Sequence, residues 1–180
     1  MIEKAEIAPG WRAEARPLNP WAGVLPGSTA HHEALHTVAA ILTGNNVEIA
    51  SNVPGPGYLG KTVIGGEFNA IAFMAAHALG CSGTGHDRAV VALAGHDTEA
   101  AASAARSILS GHDREIYAVA ALIETKRTIS GFEAKEAMER AAKPQTEIKL
   151  TGPKGEVHYF VTSSLVPFPN RCHSSKLLNN

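Results

Sequence analysis

A mostly helical α+β fold is predicted by three features of this sequence. Apolar residues make up 44% and charged residues 18% of the 180, enough for one buried core and too hydrophobic a mixture for a disordered chain. Apolar residues recur at helical spacing, in stretches punctuated by glycine, first near residue 30 and again through most of the region from 67 to Pro144. Short β-branched runs flank turn signals at 54–57 and 152–155, which marks small strands and a hairpin. A small sheet beside the first helix, a helical C-terminal half and a C-terminal β-hairpin complete the expectation.

The first 27 residues are rich in proline, carry both tryptophans (Trp11 and Trp21) and show neither a helical nor a strand period. They read as an extended arm. Pro26-Gly27-Ser28 gives a turn with a capping residue, so a helix is expected over 29–43, closed by Gly44. Its Leu35, Val38, Ala39 and Leu42 share one stripe. Strands are expected over 47–53 and 58–64, around the loop Pro54-Gly55-Pro56-Gly57, and Gly65-Gly66 then breaks the chain before an alanine-rich helix over 67–79. Further helices are expected over 87–94, 98–109 and 113–126. Ser130 with Glu133 three residues on fits a capping box that opens a last helix ending before Pro144. Residues 148–150 and 157–162 flank the hairpin turn. The plan is an arm (1–27), a single domain (28–166) and a frayed tail (167–180). All three aspartates fall in one triplet, Gly-His-Asp, at 85–87, 95–97 and 111–113; each reads as a helix start with Asp as the N-cap.

Charge excludes several classes. Sixteen basic residues against 17 acidic leave −1, which argues against wholesale binding to nucleic acid or an anionic membrane. The longest apolar run, 70–79, is broken by His77 and is far short of the ~18 residues of a membrane span. The acidic start of the chain is unlike a signal peptide. Cys81 and Cys172 read as free thiols of a cytoplasmic protein. Nine histidines point towards a metal.

Two motifs carry chemistry. In His32-Glu33-Ala34-Leu35-His36 the histidines stand at i and i+4, so on a helix both imidazoles face one zinc ion. Glu33 can then reach the water that the ion activates and serve as general base. Gly55-Pro56-Gly57-Tyr58-Leu59-Gly60-Lys61-Thr62 matches the phosphate-cradling P-loop pattern. A P-loop needs a helix that starts at its lysine, whereas Lys61-Thr62 is followed by Val63-Ile64-Gly65-Gly66, and Pro56 removes a backbone donor.

The stretch Ala30-His31-His32-Glu33-Ala34-Leu35-His36-Thr37-Val38-Ala39-Ala40 resembles the zinc helix of the FtsH-type ATP-dependent metalloproteases. Leu59-Gly60-Lys61-Thr62 resembles that family's Leu-Gly-x-Thr strand segment beside the active site, which implies that Leu59, Gly60 and Thr62 contact substrate. Ala75-Ala76-His77-Ala78-Leu79-Gly80 and then Gly83-Thr84-Gly85-His86-Asp87 resemble the stretch leading to its third zinc ligand, implying Asp87. The resemblance runs from about Ala30 to Met138. It departs where Leu35 replaces glycine and His77 replaces glutamate, and the ATPase module and membrane anchor have no counterpart here. What it implies is a stand-alone zinc peptidase, with His32, His36 and Asp87 on the metal and Glu33 as base, cutting flexible or unfolded polypeptides. It would act alone, as a homo-oligomer or with a separate ATPase.

Asp97 and, for a thermolysin-like site, Glu67, Glu99 or Glu115 stay open as third ligands, and Cys172-His173 reads as a surface pair. A nucleotide-binding enzyme and a non-catalytic, zinc-stabilised interaction domain are the rival functions.

Overall fold

A computed structural model describes residues 9–17, 24–143 and 146–162. Contacts divide the chain into two compact units, one formed by 20–142 and the other by 1–19 together with 143–180. The tail beyond 162, Trp21 and Cys172-His173 lie outside the described residues. The architecture is α+β, as expected.

In the larger unit, α1 (Thr29–Leu42) starts where Ser28 Oγ accepts the amide of His31, 3.2 Å away. It stops where Gly44, at φ +82°, lets the amides of Gly44 and Asn45 turn back onto the carbonyls of Ile41 and Ala40, a left-handed closure that glycine adopts without strain. Ten of its fourteen residues are buried, so α1 is the centre of the unit rather than a helix on its surface. Next come β2 (Asn46–Ser51), β3 (Lys61–Gly65), α2 (Ala70–Ala78), α3 (Gly85–Leu93), α4 (Thr98–Leu109), α5 (Asp113–Lys126), β4 (Thr128–Ser130) and α6 (Gly131–Ala142); β1 belongs to the other unit. The sheet is antiparallel, in the order β3-β2-β4, so among the described residues β3 has one unpaired edge.

Leu35, Val38, Val47, Ile116, Val119, Ile123 and Ile129 form the main core between α1, α5 and the sheet. A second cluster of Met74, Val91, Ala101, Ala102 and Ala105 joins α2, α3 and α4, and its alanines let those helices approach closely. Asn69 ties the two parts together. Its side-chain oxygen caps α2 by accepting from Ala72 N at 2.9 Å, while its amide donates to Thr43 Oγ1 and Asn45 Oδ1 at the end of α1. At Gly131 a Cβ would fall onto the carbonyl of Val47; only glycine lets α6 start against β2. The capping box is present, with Ser130 N donating to Glu133 Oε2 at 2.8 Å and Glu133 N to Ser130 Oγ at 3.3 Å.

The smaller unit is a second antiparallel sheet, β1 (Arg12–Pro17), β5 (Thr146–Thr151) and β6 (Val157–Thr162), ordered β1-β5-β6. Residues 12–17 are therefore a strand, not part of an arm without period. Their alternating alanines are too small to give a hydrophobic signal, and their partner lies about 130 positions downstream. Trp11 packs its ring 5.5 Å from that of His158.

Two local expectations are corrected. The strand read as 58–64 begins at Lys61, because Pro56 and Gly57 (φ +82°) make a tight turn that pairs Gly55 with Tyr58. Of the three Gly-His-Asp triplets, only Asp97 is an N-cap; Thr84 and His112 stand at that position for α3 and α5.

Candidate metal centre

His32 and His36 lie on successive turns of α1, their rings edge to face with centroids 4.7 Å apart. Asp87, in the first turn of α3, meets them. The Nε2 atoms of the two histidines are 3.0 Å apart, and Asp87 Oδ2 is 3.4 Å from that of His32 and 3.5 Å from that of His36. Three ligands on a tetrahedral ion with bonds of about 2.0–2.1 Å stand about 3.3 Å from one another. All three spacings are within a few tenths of that, so His32, His36 and Asp87 can hold a metal ion. They are the one such group of three or more among the described residues. The donor set fits too: His36 Nδ1 donates to the carbonyl of Ala72 at 2.7 Å, which leaves the Nε2 lone pair for a metal. The Asn69 cap described above fixes the turn of α2 that offers this carbonyl.

The three groups set one another's charge. Burial pushes the Asp87 carboxyl up, but hydrogen bonds to the two histidines more than reverse this and hold it well below the carboxylate range. Burial pushes His36 down, and the hydrogen bond and charge of Asp87 carry it above the usual imidazole value. A divalent cation would take the place of the proton that this pair otherwise shares.

Glu33 is 5% exposed, one position after His32. Burial raises its carboxyl above the ordinary value, against the opposing pull of His36 and of a hydrogen bond from Thr62. That bond, from Thr62 Oγ1 to Glu33 Oε2, is 2.8 Å long. β3 comes this close because Gly60 precedes it: a Cβ there would lie 2.6 Å from Thr29 Cγ2 and 2.9 Å from Glu33 Cγ. Gly60 and Lys61-Thr62 thus serve strand-to-helix packing. The segment that matches a P-loop lacks the helix start that phosphate binding requires, since Lys61 opens a strand.

His32, Glu33, His36, Asp87, Leu59, Gly60 and Thr62 all line one cleft of about 480 Å³. Leu59 is 72% exposed at its rim. Ile64, Phe73 and His86 also line it; nothing in their local sequence marks them, because each arrives from a different element. Leu35 points away, fully buried in the main core, so the leucine that departs from the family pattern fills a packing position. His77 is also outside the cleft lining, with Nδ1 3.3 Å from Thr84 Oγ1. Asp97 caps α4 by accepting from Glu99 N and Ala100 N at 2.9 and 3.0 Å. Glu99 pairs with Arg88 and Glu115 with His112, and neither they nor Glu67 joins the ligand group. His31 is a packed structural histidine, its ring 5.1 Å from Tyr117 and its Nδ1 accepting from Gly27 N at 3.3 Å. Beside it Cys81 is a free thiol that burial pushes up.

No family model matches the chain, and no curated protein matches it.

Proposed function

We propose that this protein is a zinc-dependent peptidase that hydrolyses peptide bonds in flexible or unfolded polypeptides. The observation that carries the reading is Glu33: a buried carboxylate adjoining three convergent ligand atoms, opening on the same cleft. Zinc, when bound, supplies Lewis acidity that lowers the pKa of water towards ~7 and polarises a carbonyl. Glu33 accepts the proton of the attacking water and passes it to the departing amine. The unpaired edge of β3 offers amides and carbonyls to an extended substrate, and pairing through the main chain tolerates varied sequence. Ile64 and Phe73 give the cleft an apolar wall for a substrate side chain.

The 480 Å³ cleft admits an extended segment rather than a folded domain. Folded substrates would therefore need a separate ATPase to unfold them; a second copy of the chain is the other partner in the proposal. No helix among the described residues is long and apolar enough to cross a membrane, and a cytoplasmic site of action is part of the proposal.

The test is casein hydrolysis with metal analysis, in wild type and Glu33→Gln. The amide keeps the shape of the carboxylate but accepts no proton, so the rate should drop by the 10²–10⁴ that general base catalysis contributes, with about one zinc per chain retained as a mononuclear site requires. A wild-type rate from Glu33→Gln refutes the mechanism. Zinc bound without cleavage of any unfolded polypeptide makes this a zinc-stabilised interaction domain. An ATP-dependent rise in melting temperature that vanishes in Lys61→Ala moves the function to the 55–62 segment.

A further inference from the structure

We propose that Thr62 is a positioning residue for Glu33, holding its Oε2 so that Oε1 is the oxygen that receives the proton from water. This rests on the peptidase reading. Thr62 carries one hydroxyl proton and has two acceptors in reach, Glu33 Oε2 at 2.8 Å and the Glu33 carbonyl at 3.2 Å. The carbonyl is already taken by Thr37 Oγ1 at 2.7 Å. The Thr62 proton therefore belongs to the carboxylate, the nearer and charged acceptor, where such a bond is strongest.

The contact is built into the fold. Gly60 lets the strand lie against α1 where any side chain would collide with Thr29 and Glu33. Pairing of Thr62 with Ala50 then fixes its height along β2. Thr37 Oγ1, 3.4 Å from Thr62 Oγ1, spends its own proton on the Glu33 carbonyl and so does not compete with Thr62 for the carboxylate. A glutamate has three rotatable side-chain bonds, and one anchored oxygen removes most of that freedom. The remaining oxygen is then held ready for the water. A misplacement of about 1 Å in such a group costs about a hundredfold in rate.

The experiment compares Thr62→Val, which keeps the branched shape and loses the donor, with Thr62→Ser, which keeps the donor and loses a methyl. Both are assayed on casein as zinc-loaded protein, and both are examined by infrared spectroscopy with ¹³C-labelled glutamate. Subtracting the Glu33→Gln spectrum isolates the Glu33 carboxylate band. Thr62→Val should lower kcat ten- to a hundredfold with KM and zinc content unchanged, and should move the carboxylate band to that of a carboxylate without the hydroxyl bond. Thr62→Ser should keep a kcat close to that of the wild type, with the band unmoved. The proposal is overturned by an unchanged kcat in Thr62→Val, by an equal loss in Thr62→Ser, which makes the role packing, or by a change in KM alone, which makes it substrate contact. If the wild type cleaves nothing, the peptidase reading has failed and the band decides. A shift in Thr62→Val but not in Thr62→Ser sustains the Thr62–Glu33 coupling; no shift ends it.

Discussion

Asp87 and Asp97 end the same tripeptide ten residues apart, and the chain uses them differently. At 95–97, Gly95 (φ +80°) closes α3, and α4 begins after the aspartate. Asp97 is left outside the helix, exposed, with its Oδ1 on the amides of Glu99 and Ala100. At 85–87 the positive-φ residue is Gly83, two positions before the triplet, and α3 begins at Gly85. Asp87 is then the third residue of the helix. Its carboxylate has no cap to make and meets His32 and His36. Thr84, which stands at the cap position, makes no capping bond and has its hydroxyl on His77 instead. The frame of the helix relative to the triplet decides whether the aspartate serves the backbone or the site.

Exchanging each aspartate for alanine should separate these two uses. Asp87→Ala removes one of the three groups that could hold the metal ion, so on the zinc proposal the affinity should fall by at least the ten- to hundredfold that losses in the surrounding shell alone can cost. Competition with a chromogenic chelator measures it. Asp97→Ala should keep wild-type zinc affinity and lose about 1 kcal/mol of stability through the missing cap, read from urea melts of the zinc-loaded protein. Zinc lost from the Asp97 variant and kept by the Asp87 variant would reverse the assignment.

Where a signal is local, the sequence carries it. Helices 98–109 and 113–126 fall where their periodicity and glycine stops place them. The i, i+4 histidines share a face because α1 forms, and Ser130 with Glu133 caps as its spacing requires. Signals that need a distant partner are missed. Strand β1 becomes visible only through β5, and the hydroxyl of Thr62 meets Glu33 across 29 positions. The triplets are a third kind of case: Gly-His-Asp marks a helix start, but the helix begins two residues before Asp87 and one residue after Asp97, and that three-residue shift carries the difference between a cap and a ligand position. What singles out Asp87 in the sequence is the likeness of 75–87 to a ligand segment, not anything local to the tripeptide.

Glu133 is a third acid at a helix start and extends the comparison to a carboxylate that caps and also carries an ion pair. Lys126 Nζ lies 2.6 Å from its Oε1, while Oε2 accepts from the amide and hydroxyl of Ser130. The Lys126 bond first, then the Ser130 amide and hydroxyl, hold its pKa down at about 2, against an ordinary value of 4.5. A carboxyl depressed on folding contributes stability that is complete above the unfolded value and disappears as pH falls towards the folded one. Its contribution should therefore be lost between about pH 4.5 and pH 2. Glu133→Gln keeps an acceptor for Ser130 N but has no proton to gain and no charge for Lys126. Across that window the melting temperature of the wild type should fall more steeply than that of the variant, and the two curves should converge towards pH 2. Parallel curves would mean that Lys126 and Ser130 do not hold the Glu133 charge in solution. The effect should be smaller than that at Asp87: Glu133 lies outside the ligand group, and water competes for its partners more than at Asp87.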